Sequence, residues 1–123
     1  MLRGAFEIKR NAVGQFYFVF KDPNNATVAV SQSFLERSYL EVCVSKIRDE
    51  AKFASINDLQ HPHHLNPLFD ISCNESGEYI FMMISITGEI IMYSEGFDQK
   101  ELCIEKLEIF KRYAQDARIV DLT

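Results

Sequence analysis

The stretch FDISCNESGEYIF, residues 69–81, decides the fold because an earlier part of the chain carries the same pattern. A shift of 63 positions places it without a gap on FEIKRNAVGQFYF, residues 6–18. The match continues beyond this stretch, and Asp58 and Leu59 correspond to Asp121 and Leu122. The shared positions are mostly apolar residues and turn formers, so they specify architecture rather than chemistry. The sequence therefore predicts a tandem repeat within the 123 residues of the chain.

Each repeat has the pattern of three short strands, a helix and a closing strand. Alternation of apolar and polar residues predicts the strands, and Gly14 and Gly77 lie in the turns between the first two strands of each repeat. The apolar spacing then becomes helical. In the second repeat the apolar helix positions are Cys103, Leu107, Phe110 and Ala114. Asp98 is predicted to be the N-cap of this helix, with Glu101 completing a capping box.

These patterns predict an α+β fold made of tandem β3-α-β repeats. The first repeat covers residues 1–60, residues 61–66 form a linker, and the second repeat covers residues 67–123. A unit of this size is close to the lower limit for an independent hydrophobic core. The two repeats are therefore expected to share one core in a single domain, with one antiparallel sheet and both helices on one face.

Composition and charge exclude several classes of function. The chain is 47% hydrophobic and 25% charged, as in an ordinary globular protein. Of its net charge of −5, residues 1–60 contribute +1 and residues 61–123 contribute −6. An acidic chain without a cluster of Lys and Arg is not expected to bind nucleic acid. No apolar run approaches the length of a membrane span, and the first residues do not form a signal sequence, so no membrane contact and a cytoplasmic location are expected.

Three segments of the second repeat resemble a known family, the YegP-like group of short bacterial domains that often occur as tandem pairs. Residues 76–81 resemble its strand-turn-strand signature, residues 88–97 its third strand and helix entry, and residues 117–122 its closing strand. The resemblance covers nearly the whole chain and is weaker in the first repeat, where Asn25 replaces the turn glycine. It implies a single sheet of two β3-α-β units whose closing strands are exchanged between the units. It implies no activity, because the group is described as being of unknown function.

The sequence contains no motif that indicates catalysis or cofactor binding. Its three cysteines, Cys43, Cys73 and Cys103, have no Cys-x-x-Cys spacing and predict neither a disulfide framework nor a zinc ribbon. Cys103 falls on the apolar face of a helix, where a thiol is more simply a small hydrophobic side chain than a nucleophile. Ser31 and Ser94 recur at the junction of strand and helix, where a hydroxyl more simply forms a turn or a cap. The protein is therefore expected to be non-enzymatic and to use no cofactor.

The three histidines, His61, His63 and His64, lie close together in the linker. Imidazole is a common zinc ligand, so a metal site in the linker is one hypothesis. The simpler interpretation is a solvated linker, because Pro62 separates two of the ligands and the pattern implies no rigid geometry. A metal-binding or small-molecule-binding protein that uses this linker, or the groove between the repeats, is therefore the alternative function.

The face of the sheet away from the helices is the candidate interaction surface. If the phenylalanines of the second strands pack on the helices, the intervening apolar residues point the other way. These residues are Tyr17, Val19, Ile80, Met82, Ile84, Ile90 and Met92. An exposed apolar patch usually marks an interaction surface, so we expect a homo-oligomer or a protein partner. The opposite assignment of the two faces, which would bury these residues and expose the phenylalanines, remains open at this point.

Overall fold

The computed structural model of the chain describes residues 2–57 and 66–123. In the first half, the elements are β1 (Ala5–Arg10), β2 (Phe16–Lys21), β3 (Thr27–Val30), α1 (Arg37–Glu50) and β4 (Ser55–Asn57). In the second half, they are β5 (Leu68–Cys73), β6 (Tyr79–Ile84), β7 (Ile90–Ser94), α2 (Lys100–Tyr113) and β8 (Arg118–Asp121). The described halves therefore have the same order of elements, and each element of the second half begins 63 positions after its counterpart.

Equivalent asparagines form the turns that join the first two strands of each half. The Asn11 Oδ1 accepts hydrogen bonds from the backbone N–H groups of Val13 and Gln15, at 3.1 and 3.0 Å. The Asn74 Oδ1 accepts equivalent bonds, at 3.0 and 2.9 Å. Gly14 and Gly77 follow with φ angles of 84° and 80°, which glycine adopts without a steric cost. The turn positions predicted from the sequence are therefore confirmed.

The strands of the described ranges form one sheet in the order β4-β5-β6-β7-β3-β2-β1-β8. The expectation of a wholly antiparallel sheet is wrong, because β4 pairs with β5 and β8 pairs with β1 in parallel. Each closing strand is reached through a helix that carries the chain from a central strand to an edge of the sheet, so no hairpin turn fixes its direction relative to its neighbour. Each closing strand, β4 or β8, thus pairs with a strand of the other half, as the resemblance implied. The sheet is mixed, with parallel pairs at its two edges.

A β-bulge shifts the pairing of the second and third strands in each half. Phe20 pairs with Ala29 but Lys21 pairs with Thr27, so Val28 is the extra residue. In the second half, Met83 pairs with Met92 and Ile84 pairs with Ile90, so Ile91 is the extra residue. A bulge changes which face the following side chains occupy. Val28 and Ala29, and likewise Ile91 and Met92, are therefore buried as adjacent residues.

Both helices pack on the same face of the sheet and complete one hydrophobic core. The core contains residues of both described halves, including Phe6, Phe20, Leu40, Ile47, Phe69, Phe81, Leu107 and Phe110. Phe110 of α2 makes edge contacts with Phe20 and Phe69, with ring centroids 4.8 and 5.8 Å apart. The assignment of Asp98 as an N-cap is wrong, because α2 begins after Gln99 and has no side-chain cap.

One hydrogen bond joins each helix to the residue just before the closing strand of the other half. The Arg48 guanidinium of α1 donates to the backbone carbonyl of Ala117, just before β8, at 2.7 Å. The Lys111 ammonium of α2 donates to the backbone carbonyl of Ala54, just before β4. The two donors and the two acceptors are each 63 positions apart, so the same contact is made twice. We call these two contacts the reciprocal clasps.

Candidate interaction surface

The surface predicted to bind a partner lies on the face of the sheet opposite the helices, which we call the helix-distal face. Backbone pairing places one continuous row of side chains across it. In strand order the row is Asn57, Asp70, Met82, Tyr93, Val30, Val19, Glu7 and Val120. Residues equidistant from the centre of the row are 63 positions apart in sequence. The helix-distal face therefore has an approximate two-fold axis between Tyr93 and Val30.

The centre of the helix-distal face is apolar. Six of the seven residues predicted for this surface are on it: Tyr17, Val19, Ile80, Met82, Ile84 and Ile90. Their accessibility varies, since Val19 is only 6% exposed whereas Ile90 is 40% exposed. Residues that alternate with them, such as Phe18 and Phe81, are fully buried beneath the helices. The opposite assignment of the two faces, which the sequence left open, is therefore wrong, because the phenylalanines are buried under the helices.

Met92 is the exception, and its assignment to this face is wrong. It pairs with Met83, belongs to the hydrophobic core and has 0% exposure. Simple alternation along β7 fails here because the bulge at Ile91 adds one residue and reverses the faces beyond it. Tyr93 takes the place expected for Met92, pairs with Met82 and is 40% exposed.

Tyr93 and Val30 are therefore the central residues that sequence reasoning missed. They pair with each other where β7 meets β3, the one junction between the two halves at the middle of the sheet. The offset of 63 positions between them is the one relation that the sequence shows, and every other equivalent pair shares it. Their pairing was not deducible without knowing which strands meet.

Charged residues flank the apolar centre unequally. On the first-half side, Lys9, Lys21 and Arg118 share the helix-distal face with Glu7. Lys9 lies 3.7 Å from Glu7, which leaves Lys21 and Arg118 as the excess positive charge there. On the second-half side, the strands contribute Asp70 to this face, and its carboxylate accepts a hydrogen bond from Asn57 at 3.0 Å. The face is thus basic at one end, apolar in the middle and acidic at the other end.

The cysteines show no feature of an activated nucleophile. Cys103 is fully buried, and its burial raises the pKa of the thiol to about 11. Burial also raises the pKa of Cys43, against the smaller opposing effect of Lys46. A thiol with a raised pKa holds little thiolate at neutral pH, which disfavours nucleophilic chemistry. Cys73 is exposed, and all three thiols are free.

Ser31 and Ser94 have a structural role. The Oγ of each serine accepts a hydrogen bond from the N–H of a second-strand residue, Phe18 or Phe81, at 2.9 and 2.8 Å. Each hydroxyl also donates to the carbonyl of the residue that follows it, at 2.7 Å. Both serines therefore use their donor and one acceptor position within the fold, as the turn interpretation predicted.

The metal hypothesis concerns residues that the structure does not describe. His61, His63 and His64 all lie outside the described ranges. Within residues 2–57 and 66–123, no group of three or more His, Cys, Asp or Glu side chains is arranged to hold a metal ion. No helix in the same part of the chain is long and apolar enough to cross a membrane.

Comparison with solved structures identifies the fold. The solution NMR structure of yegP from Escherichia coli, a protein of unknown function, matches with a TM-score of 0.81 at 17% identity, over 100% of this chain and 96% of that one. The solution NMR structure of a UPF0339 protein from Shewanella oneidensis matches with a TM-score of 0.82 at 15% identity, over 100% and 93%. Both likenesses define the class of protein: an α+β protein with one mixed sheet covered by helices on one face.

Sequence comparison identifies the family. No family model matches the chain. A UPF0339 protein from Methanosarcina acetivorans is 35% identical over 54 residues, which make up 44% of this chain and 93% of that relative. The chain belongs to the UPF0339, or YegP-like, family. These relatives carry no assigned function, so none is transferred from them.

Proposed function

We propose that this protein is a non-enzymatic module that acts through self-association, with the helix-distal faces of two copies packed against each other. The observation that carries the proposal is the apolar centre of that face, which holds Tyr93 and Ile90 at 40% exposure. An exposed apolar patch with a polar rim has the anatomy of a protein interface. The proposal includes the expected cytoplasmic location, with which three free cysteines are compatible.

We further propose that the two halves are tandem copies of one β3-α-β unit. The constant offset of 63 positions between the starts of equivalent elements supports this, as do the paired bulges, serines and clasps. The archaeal relative also supports it, because 54 residues account for 93% of its length, which is about one half of this chain. A single unit on its own offers no partner for its closing strand, because here each closing strand pairs with a strand of the other half. Two single units that associate and exchange their closing strands would form the same sheet as the two halves of this chain.

Charge distribution favours a second copy of this chain as the occupant of the helix-distal face. A two-fold axis parallel to the strands places the β5 end of one copy over the β1 end of the other. The excess positive charge of Lys21 and Arg118 then lies against the acidic end that contains Asp70. Opposite charges at the rim orient two partners and disfavour the alternative orientation. The face is therefore complementary to itself in one orientation.

Packing geometry places Tyr93 at the centre of the proposed dimer. Two sheets that pack face to face are separated by about 10 Å, a gap filled by side chains from both. Tyr93 lies near the approximate axis, so the tyrosines of the two copies meet close to each other. Exposed aromatic residues at the centre of an interface commonly contribute much of the binding energy.

The test is sedimentation velocity of the untagged chain and of two variants that place the same charge at an exposed tyrosine. We expect a concentration-dependent dimer for the unchanged protein. Tyr93→Glu should raise the dimer dissociation constant about a hundredfold, because the interface would bury an unpaired carboxylate. Tyr39→Glu is the matched control, since Tyr39 is 62% exposed on the outer side of α1. It should leave the dissociation constant unchanged.

Circular dichroism of each variant separates loss of association from loss of folding. Tyr93→Glu should keep the native spectrum, because the side chain is already partly exposed in one chain. A protein that stays monomeric at every accessible concentration contradicts the proposal. Equal weakening by Tyr39→Glu would also contradict it, because the effect would then come from net charge rather than from the helix-distal face.

A further inference from the structure

A cleft of about 540 Å³ lies on the helix side of the sheet, where the closing strand of the first half reaches the second half. Its lining includes Lys52, Ile56, Glu108, Lys111, Arg112 and Asp116. Residues of both halves form its walls, so it is the groove between the halves that the sequence suggested as an alternative site. Its volume lies within the range of small-molecule sites.

The cleft concentrates positive charge on a chain whose net charge is −5. It has three cationic side chains, Lys52, Lys111 and Arg112, against two carboxylates. In the described part of the chain, neither Lys52 nor Arg112 makes a hydrogen bond or an ion pair through its side chain. Both cationic groups thus lack a partner among the described residues and can bind an anion.

Lys111 gives the cleft a fixed and partly desolvated cation. Its ammonium is held by the carbonyl of Ala54 and lies 5.7 Å from the centre of the Phe69 ring. Burial lowers the pKa of Lys111, and the carboxylate of Glu108 partly opposes this effect. A bound anion would compensate for the hydration that the ammonium has lost. Ile56 adds an apolar surface beside these groups.

The equivalent cleft of the first half provides an internal comparison. It measures about 180 Å³ and lies between α1 and β8. Among the residues that the structure describes, Arg48 is the one cationic side chain that lines it, and Glu41 balances that charge. The guanidinium of Arg48 donates a hydrogen bond to the carbonyl of Ala117. Asp49 occupies the sequence position that corresponds to Arg112, which removes the second cation. Each cleft lies between a helix and the closing strand of the other half. Among their described lining residues, cations outnumber carboxylates in the larger cleft and equal them in the smaller one.

We propose that the larger cleft binds a small organic anion, with a phosphate or carboxylate group held by Arg112 and Lys52. The guanidinium of Arg112 suits either group, because its planar donors match two anionic oxygens. The apolar part of the ligand lies on Ile56, and its hydroxyl or amino groups donate to Glu108 and Asp116. This site lies on the opposite side of the sheet from the proposed dimer interface and is independent of it.

The test is an NMR titration of the full ¹⁵N-labelled chain with sodium phosphate and, separately, sodium acetate, at constant ionic strength. We expect saturable shifts at the amides of residues 52, 56 and 108–116, with none at the first-half cleft. A stronger response to phosphate or to acetate identifies the preferred anionic group. Arg112→Gln should weaken binding about tenfold, the size expected for one charge-assisted hydrogen bond.

Arg10→Gln is the matched control, because Arg10 is also an exposed arginine and lies at the end of β1, away from the cleft. It should leave the affinity unchanged. Shifts that do not saturate, or that spread equally over both clefts, would overturn the proposal. Equal weakening by the two variants would also overturn it, because it would show a response to overall charge only.

Discussion

At the scale of single residues, polar side chains in this protein replace backbone hydrogen bonds where the sheet departs from regular geometry. Ser31 directly follows β3 and Ser94 is the last residue of β7, and their hydroxyls accept hydrogen bonds from the N–H groups of Phe18 and Phe81. A buried N–H without a partner is costly, so a small hydroxyl at this position preserves the irregular pairing. The two hydroxyls therefore take the place of a backbone acceptor where the pairing of the second and third strands ends.

Ser31→Ala should lower the free energy of unfolding by about 1–3 kcal/mol, the usual cost of leaving a buried donor unsatisfied. Ser31 is only 9% exposed, and water has little access to the N–H of Phe18. Urea unfolding followed by circular dichroism would measure the change. Ser38→Ala, at an exposed position near the start of α1, is the control and should change stability little. Equal stability of the two variants would contradict a structural role for the Ser31 hydroxyl.

At the scale of secondary structure elements, the reciprocal clasps explain how short closing strands stay in place. The strand β4 has three residues and forms one edge of the sheet. Lys111 holds the carbonyl that precedes β4, and Arg48 holds the carbonyl that precedes β8. A charged donor in the last turn of a helix is also favoured by the helix dipole. Each helix thus positions the strand that arrives from the other half.

Lys111→Met should release β4, because it removes the ammonium and keeps an unbranched side chain of similar length. We expect a loss of about 1.5 kcal/mol in unfolding free energy, as for other hydrogen bonds to charged groups. Faster hydrogen exchange at the amides of β4 and β5 would show that the effect is local. Lys111→Arg should restore most of the stability, since an arginine makes the equivalent contact at position 48. Failure of arginine to do so would contradict the assigned contact.

At the scale of the whole molecule, the two halves are joined through one core. Phe110 of α2 lies against Phe20 of the first half and against Phe69 and Phe81 of the second. A unit of about half this length buries too little apolar surface to be securely stable alone. The two halves are therefore expected to unfold cooperatively, because this one ring packs against core residues of both.

Phe110→Ala should lower the unfolding free energy by about 3–5 kcal/mol, the range for a buried phenylalanine that leaves a cavity. Native-state hydrogen exchange should show the same loss of protection in β2 and β6, because both strands contact the affected core. Phe53→Ala is the control, since Phe53 is 75% exposed and should contribute little. A loss of protection confined to β6 would show that the halves unfold separately.

The sequence alone determined the elements and their order, because alternation, helical spacing and turn residues are local properties of the chain. It also indicated the 63-position correspondence and the family resemblance, and six of the seven residues predicted for the helix-distal face lie on it. Local patterns failed at Met92, where one bulged residue reverses the alternation that the prediction assumed. They also failed at the sheet direction, which depends on which distant strand each closing strand meets.

The tertiary structure decided the features that depend on residues distant in sequence. It placed Tyr93 against Val30 at the centre of the helix-distal face, and it brought Lys52 and Arg112 into one cleft. Neither pair has a sequence signature, because the residues of each pair lie in different halves. Tyr93 and Val30 meet where β7 pairs with β3, and Lys52 and Arg112 meet where the first half reaches α2. The physical reason is that one unit cannot bury its own apolar surface, so the second unit completes its sheet and core.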